Sequence, residues 1–434
     1  THLIDFDLLT QMGLLKESDY ASVNFGDDPT SVDYERIFFA RRPILETAVK
    51  NFLANQSLQA DFNHFEKNNR LWLDDFAEFM AIKEHFGNQA LQKWDDKKAV
   101  ARDPSALEKY RTMLAEQIQY FKVTQYFFFK QWTELKNYAN QKGIQIIGDM
   151  PIYVAADSVE VWTKPELFQL DEERNPLFVA GVPADQFSAT GQLWGNPLYA
   201  WEEHKKQGYA WWIHRIEESF KIYDVLRIDH FKGFSDYWQV DGKAEVAKDG
   251  SWQPGPGYDL FKAVKEQLGD LPIIAEDLGN IDDKARKLLT DCNYPGMKIL
   301  QFGFEDVSGE SLDSPHYCIP HSIVYTGTHD NDVTNGWYNS LTEQQQQYIN
   351  DYTHRHEDES ICQAMIRQLF ATVSNTAIAT MQDVLDLPAS SRMNVPSTIG
   401  GNWQWRMQQS DLTQDKKDFL AKMTTLYQRA NQEK

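Results

Sequence analysis

The 434-residue chain has few cysteines and no long hydrophobic run, and these absences exclude several classes of protein. Its three cysteines, Cys292, Cys318 and Cys362, form no CxxC pair, which suits a reducing compartment such as the cytoplasm better than a disulfide framework. No apolar run approaches the roughly 20 residues that a helix needs to span a bilayer. The first residues show neither a basic stretch nor an apolar core, so we do not expect them to form a signal peptide.

Basic residues are scarce relative to acidic ones. Lys and Arg total 43 against 64 Asp and Glu, which gives a formal net charge of −21. A surface this acidic repels nucleic-acid phosphates and anionic lipid, so we expect neither nucleic acid nor a membrane as a partner. The chain also lacks a Walker A loop, zinc motifs, a GxSxG elbow and a Gly-rich dinucleotide turn, which argues against nucleotide-binding and serine-hydrolase chemistry.

What remains is a globular composition, with 42% hydrophobic and 25% charged residues. Residues 31–142 are rich in helix formers and aromatics at helical spacing, and this pattern predicts several packed helices. Beyond them, helical stretches alternate with short β-rich runs at 144–149, 225–229, 272–276, 297–302, 323–328 and 377–382. The alternation predicts a parallel α/β fold, and polar residues just after the strands are typical of the active-site face of an α/β barrel.

Residues 151–212 form a long insertion between the first two predicted strands, which we expect to be an irregular loop region over the active site. It contains the tryptophans Trp162, Trp194, Trp201, Trp211 and Trp212. Exposed aromatics on loops above a barrel mouth suit the flat faces of sugar rings, although packing of the insertion against the barrel explains most of them better. Trp194 is flanked by Gly191, Gly195 and Pro197, and this setting favours a displayed side chain as much as a packed one.

The first candidate catalytic group is Asp229, which closes an apolar strand. Arg227 lies two residues earlier, and because side chains alternate along a strand, both should project to the same side. A guanidinium near a carboxylate favours the ionised form, which a covalent glycosidase nucleophile requires. A structural Arg–Asp pair or a helix N-cap would explain the same pattern.

The second candidate is Glu276, which leaves the end of the strand at 272–276. A glutamate against apolar walls has a raised pKa, so it can hold a proton near neutral pH and donate it to a leaving oxygen. A solvated loop carboxylate is the alternative interpretation. The neighbouring Asp277 should point the other way and brace the turn.

The third candidate pair, His329 and Asp330, follows the strand at 323–328. These side chains could hydrogen-bond adjacent sugar hydroxyls and hold the ring in a distorted shape. Each of the three patterns is weak alone. Together they place Asp229, Glu276 and Asp330 at the ends of three separate strands.

With these motifs the chain resembles the 4-alpha-glucanotransferases of the amylomaltase type, glycoside hydrolase family 77 of the α-amylase clan. The resemblance extends over essentially the whole chain. It rests on GDMPIY at 148–153, DS at 157–158, VW at 161–162, GQLWGNPLY at 191–199, RIDHFKGF at 227–234, WQPGPGYDLF at 252–261, AEDLG at 275–279, YTGTHDND at 325–332, RMN at 392–394 and GNWQWR at 401–406.

The resemblance implies a role for each matching residue and a (β/α)8 TIM barrel with helical and loop insertions. It implies that Asp229 is the nucleophile, Glu276 the general acid/base and Asp330 the transition-state stabiliser. It further implies that Arg227, His329 and Asp149 support the donor sugar and that Trp194 borders the acceptor side. No metal or organic cofactor is implied.

The implied reaction is a retaining transfer of α-1,4-glucan segments between maltooligosaccharides, with a maltooligosaccharide or α-glucan as both donor and acceptor. An α-glucan hydrolase of the same clan would use the same carboxylates. A non-catalytic glucan-binding protein, truncated before the first strands, is the alternative from another class.

The sequence departs from the family pattern at three places, of which one is Ser397, where the family usually has Gly. Gln186 stands where the family commonly has Tyr, which puts aromatic stacking at that loop position in doubt. Family members also begin with a further segment that carries the first two barrel strands, which we expect to be missing from this chain. We therefore assign residues 1–30 to a barrel segment after those strands, 31–142 to a helical insertion and barrel helix, and 143–434 to the remainder of the barrel.

Overall fold

A computed structural model describes most of the chain, namely residues 2–184, 190–279 and 281–430. Gln186 therefore lies outside the described residues. In the described part, the strands are β1 (Ile147–Met150), β2 (Phe178–Val182), β3 (Gln192–Pro197), β4 (Val225–Ile228), β5 (Asp236–Asp241), β6 (Ser251–Pro254), β7 (Ile273–Ala275), β8 (Gly296–Ile299), β9 (Ser322–Tyr325) and β10 (Thr376–Ile378). The α-helices there are α1 (Phe6–Gln11), α2 (Tyr34–Ala54), α3 (Gln59–His85), α4 (Lys97–Val100), α5 (Pro104–Met113), α6 (Ala115–Gln141), α7 (Val159–Thr163), α8 (Trp201–Lys206), α9 (Ala210–Ile222), α10 (Tyr258–Leu268), α11 (Asp283–Cys292), α12 (Leu300–Gly303), α13 (Thr334–Ser340), α14 (Glu343–Thr353), α15 (Ile361–Ala371), α16 (Met381–Leu385) and α17 (Gln414–Leu426).

The chain divides into two units, each of which mixes helices and strands. Unit 1 comprises Thr1–Phe25 and Glu35–Ile273, and unit 2 comprises Gly26–Tyr34 and Ile274–Lys434. The mixture confirms the predicted α/β class. The segments predicted from the sequence, 1–30, 31–142 and 143–434, divide the chain by its place in a barrel. The two compact units do not test that division, so it stays a prediction.

The helices of unit 1 pack through aromatic side chains. The rings of Phe52 on α2 and Phe127 on α6 meet edge to face at 5.3 Å, and both are fully buried. Tyr126 packs against Phe52 and against Phe62 of α3. Tyr126 and Phe127 therefore belong to the core of unit 1.

The first parallel sheet lies where three apolar runs predict it, and its strand order is β1-β4-β7. Strands β1 and β4 pair in parallel with Asp149 opposite Arg227. Gly148 is required in β1 because a Cβ there would overlap the ring of Tyr223. The three predicted strands are confirmed, each within a few residues of its expected bounds.

Unit 2 contains a second parallel sheet with the order β10-β9-β8. Val324 of β9 is fully buried in a core formed with Leu300, Phe304, Ile349 and Met365. Three further predicted strands are thus confirmed, but two of them are shorter than expected. Helix α12 begins at Leu300 within the run predicted at 297–302, and helix α16 begins at Met381 within the run predicted at 377–382. In the described residues the three sheets have three, three and four strands, and none of them closes into a barrel.

The four-stranded sheet is antiparallel, has the order β3-β2-β5-β6, and takes two strands from the insertion at 151–212. The expectation of an irregular insertion is wrong for these strands and for helices α7, α8 and α9. Trp162 and Trp212 are fully buried, which confirms packing as their role. Strands β2 and β5 are far apart in the sequence, and local periodicity does not predict that they pair.

Among the described residues, no helix is both long and apolar enough to cross a membrane.

Candidate active site

In unit 1 a buried guanidinium connects two carboxylates at the ends of adjacent parallel strands. Nη1 of Arg227 donates to both carboxylate oxygens of Asp149 at 2.6 Å and lies 3.2 Å from Oδ1 of Asp229. Arg227 is buried, whereas the two carboxylates are about 40% exposed. The structure therefore brings together three of the predicted site residues and leaves both carboxylates accessible to a ligand.

The strand register explains this arrangement. Asp149 is the direct partner of Arg227 in the parallel pair, and Asp229 follows two residues after Arg227. The backbone N–H of Asp229 donates to the carbonyl of Met150 at 3.0 Å, so the ladder holds the chain just beyond the end of β4. The register therefore places the carboxylate of Asp229 beside the guanidinium of Arg227.

His230 is a site residue that the sequence reasoning missed. Its φ of +51° is left-handed, which is uncommon for a residue other than glycine, and it precedes a short 3₁₀ helix at Phe231–Phe234. Burial and the nearby Lys232 lower the pKa of the imidazole to about 4, so the ring is neutral at neutral pH. A left-handed residue directly after a candidate nucleophile is visible only in the structure.

Trp194 contacts this histidine. The two rings meet edge to face with centroids 4.8 Å apart, and the indole Nε1–H donates to Oε1 of Gln192 at 3.2 Å. The indole is half-buried in β3 and also packs against Tyr153. Trp194 is thus held from several sides rather than displayed on a free loop, with part of its surface accessible.

In unit 2, Glu276 and Asp277 follow β7 and have different surroundings. Oε1 of Glu276 accepts the backbone N–H of Leu278 at 2.9 Å, and the side chain is half-exposed. The carboxylate of Asp277 accepts the N–H of Met297 in β8 at 2.6 Å, and burial raises its pKa. Asp277 therefore joins the end of β7 to the neighbouring strand β8, and its part in bracing the turn itself stays a prediction.

His329 and Asp330 lie beyond the end of β9 with a set of polar partners from the C-terminal part of the chain. Nε2 of His329 is 3.2 Å from Oδ2 of Asp330. The amide of Asn394 donates to Oδ1 of Asp330 at 2.6 Å, and Nη2 of Arg392 donates to the carbonyl of Asp330 at 2.7 Å. Both oxygens of the Asp330 carboxylate therefore have a neighbour that orients them.

Trp403 completes this group. Its ring lies 5.0 Å from that of His329, its φ is +60°, and it is nearly half exposed. Its backbone N–H donates to Met393 and its carbonyl accepts the hydroxyl of Tyr34. Arg392, Asn394 and Trp403 stand in motifs that the sequence singled out, but no role could be assigned to them without the contacts.

The seven predicted site residues divide between the units. Asp149, Trp194, Arg227 and Asp229 belong to unit 1. Glu276, His329 and Asp330 belong to unit 2.

One group of possible metal ligands occurs in the described residues, at His214, Glu217 and Glu218 on α9. Glu218 also pairs with Lys221. The group follows helical spacing and includes none of the predicted site residues, so it is unrelated to the candidate active site.

Comparison with known proteins gives a consistent result. The family described as 4-alpha-glucanotransferase matches residues 1–413. The 4-alpha-glucanotransferase of Streptococcus pneumoniae is 52% identical over all of this chain and 85% of its own length, and that of Clostridium butyricum is 41% identical over 99% and 88%. The solved structure of amylomaltase from Streptococcus agalactiae in complex with acarbose is 58% identical, has a TM-score of 0.98, and is matched over 99% of this chain and 87% of its own.

Proposed function

Because this chain belongs to the 4-alpha-glucanotransferase family, glycoside hydrolase family 77, we propose that Asp229, Glu276 and Asp330 carry out its transfer of α-1,4-glucan segments. The proposed course is a double displacement with net retention at the anomeric carbon. The observation that carries it is the Arg227 guanidinium, which is in contact with Asp229 and bound to Asp149 at the ends of two parallel strands.

In the first step, Asp229 attacks the anomeric carbon of the donor and forms a covalent glucosyl ester. Its nucleophilic oxygen must be ionised and correctly aimed. The 3.2 Å contact with Arg227 supports both requirements, since the buried cation is fixed by its two bonds to Asp149.

Glu276 protonates the departing glucosyl oxygen in the same step. The freed glucan end then leaves, and the 4-hydroxyl of an acceptor takes its place. Glu276, now ionised, removes the proton of that hydroxyl, and the second inversion restores the α linkage. The half-exposed position of Glu276 after β7 supports this role, and the raised pKa expected from the sequence stays a prediction.

Asp330 and His329 would bind hydroxyls of the donor sugar. Such hydrogen bonds strengthen as positive charge develops on the ring. Asn394 supports this role because its amide fixes one oxygen of Asp330, which leaves the other carboxylate oxygen beside His329. We therefore include Asn394 in the site as a positioning residue.

Transfer exceeds hydrolysis only if a sugar competes successfully with water for the glucosyl ester. An apolar border on the acceptor side would favour the sugar by excluding water. Trp194, half-buried and in edge-to-face contact with the neutral His230, supplies an apolar surface of this kind.

Three further expectations belong to this proposal. The two parallel sheets, with helices between successive strands, support a (β/α)8 barrel as the complete catalytic fold. The three cysteines are free thiols, which supports action in the cytoplasm on neutral maltooligosaccharides. Acarbose, which is present in the Streptococcus agalactiae structure, is expected to bind this chain as well.

Incubation with maltotriose tests the proposal. The wild type should produce a ladder of longer oligosaccharides, and Asp229→Asn should lower kcat by about a thousandfold or more because it removes the nucleophile. Asp259→Asn, an exposed carboxylate on α10, is the matched control and should keep full activity.

Three results would contradict the proposal. A ladder of longer products from Asp229→Asn would show that Asp229 is not the nucleophile. Glucose and maltose without longer products would indicate a hydrolase. Maltotriose binding without turnover by the wild type would indicate a glucan-binding protein.

A further inference from the structure

Trp252 is an exposed indole on the antiparallel sheet of unit 1, outside the groups assigned to the reaction. It lies on β6, the edge strand of the order β3-β2-β5-β6, and its side chain is 45% exposed. Removing apolar surface from water is favourable, so an exposed indole gains free energy when a ligand covers it. An indole that is exposed and also held in place is therefore suited to binding.

Strand pairing holds this indole in place. Trp252 is directly opposite Trp238 in the antiparallel register, so the two side chains lie on the same face. Their rings meet at 5.2 Å and 67°. Trp238 is itself fixed, because its Nε1–H donates to the carbonyl of Ala247 at 2.7 Å and Gly250 leaves no room for a Cβ beside its ring.

A cation lies against the same indole. Nζ of Lys232 is 4.7 Å from the centroid of the Trp252 ring and 3.1 Å from Oδ1 of Asp236, and the lysine side chain is only 12% exposed. The ring therefore has a buried ammonium on one side and a packed indole at its edge. Its remaining surface faces solvent in a fixed orientation.

The chain connects this indole closely to the candidate nucleophile. Lys232 follows Asp229 by three residues, and three residues span at most about 11 Å. The intervening Phe231–Phe234 turn is a 3₁₀ helix whose phenylalanines are buried, so the connection is rigid. Trp252 thus lies within a few glucose units of Asp229.

We propose that the exposed indole of Trp252 is a distal glucan-binding platform, which stacks on a glucose ring of a long α-1,4-glucan whose end is at the catalytic carboxylates. This proposal rests on the proposed function. The C–H face of a glucose ring is apolar and about as large as one indole, whereas its hydroxyls remain hydrated at the rim.

The size and charge of the surface favour a sugar over a protein. A stable protein interface needs about 800 Å² from each partner, which a single indole cannot provide. The formal net charge of −21 disfavours an anionic ligand. A neutral glucan satisfies both conditions and is already the substrate class of this family.

The platform should act only on long substrates. Once one end of a long glucan is bound, the rest of the chain is at a high effective concentration near the second point, so the two contacts together raise the affinity. A sugar too short to reach the second point gains no affinity from it. Because Trp252 touches no reacting atom, its loss should change KM and leave kcat unchanged.

The test compares transfer kinetics on maltotriose and on maltoheptaose. Trp252→Ala should raise the KM for maltoheptaose by about five- to tenfold, as loss of one aromatic contact predicts, and change the KM for maltotriose by less than about twofold. Trp252→Tyr, which keeps an aromatic ring, should restore most of the maltoheptaose KM. Tyr138→Ala removes a similarly exposed aromatic from α6 and should change neither KM.

If Trp252→Ala changed the KM for both substrates equally, or changed neither, the proposed platform would be wrong. A binding measurement separates this failure from failure of the proposed function. In an Asp229→Asn background, adding Trp252→Ala should weaken maltoheptaose binding by the same factor, even if the wild type proves to have no transfer activity. Unchanged maltoheptaose affinity in that background would also overturn the platform. If Trp252→Ala fails to fold, Trp252→Gln takes its place, because it keeps a side chain of useful length beside Lys232 and removes the aromatic ring. An unchanged KM for maltoheptaose in that variant would likewise contradict the proposed platform.

Discussion

Single side chains in this chain are oriented by partners that are distant in sequence. Arg227 fixes Asp149 and contacts Asp229, and Asn394 fixes Asp330 from 64 positions away. In each case a polar group with little freedom orients a carboxylate that remains accessible. Catalysis depends on such orientation, because a misplacement of about 1 Å can cost a hundredfold in rate.

Arg227→Lys should lower kcat by about 10- to 100-fold, because an ammonium is a point charge and cannot reproduce the planar guanidinium geometry between Asp149 and Asp229. The rate of maltotriose disproportionation measures this effect. Arg286→Lys, on the exposed side of α11, provides the control and should retain wild-type activity. Full activity of Arg227→Lys would show that positive charge alone suffices.

Asn394→Asp should lower kcat by about tenfold or more, because it replaces the donor to Asp330 by a second carboxylate of the same size and repels it. Steady-state kinetics at pH 7 measures this change. Asn339→Asp adds the same charge at an exposed position of α13 and should have no such effect. Equal losses in both variants would indicate a general charge effect instead of a specific contact.

Whole elements carry these side chains, and glycines set how closely the elements approach. In strand β1, Gly148 allows the ring of Tyr223 to lie against the backbone directly before Asp149. The Phe231–Phe234 turn similarly connects β4 to β5, so the chain of the candidate nucleophile continues directly into the sheet that bears Trp252.

Gly148→Ala should lower the free energy of unfolding by about 1–3 kcal/mol, because the added methyl group overlaps the Tyr223 ring and the packed strand can shift only slightly. Urea denaturation measures the loss. Combining it with Tyr223→Ala should recover part of the loss, since the overlapping ring is then absent. Simple additivity of the two losses would place the strain elsewhere.

At the scale of the whole molecule, the chain combines a strongly acidic composition with imidazoles that are buried in the neutral form. His204 on α8 is almost fully buried, and burial lowers its pKa to about 4. Its folded-state pKa is thus below the ordinary value of 6.5, so the unfolded chain binds a proton that the folded chain does not. The stabilisation is present above pH 6.5 and is lost as the pH falls toward 4.

Acidification from pH 7.5 to pH 5 should therefore reduce the free energy of unfolding by about 2 kcal/mol through His204 alone. In His204→Gln the pH dependence should be smaller by that amount, whatever the effect on absolute stability. Urea unfolding of both proteins at the two pH values provides the comparison. An identical pH dependence would show that His204 does not titrate on unfolding.

The positions of the six parallel strands could be predicted because each is a short apolar run between helical segments. The residues at the ends of these runs, including Asp229, Glu276 and Asp330, followed from the same local pattern. Side-chain alternation along β4 also predicted that Arg227 would meet Asp229, as it does at 3.2 Å. The chain's α/β class and its candidate catalytic groups are thus properties of local sequence.

Tertiary structure alone decided the partners of those groups. The pairing of β2 with β5, the donation from Asn394 to Asp330 and the contact of Trp194 with His230 each join residues far apart in the chain. Local periodicity records which face of a strand is buried, but it carries no information about which distant segment covers that face. The left-handed backbone of His230 likewise belongs to the turn after β4, and no local sequence pattern predicted it.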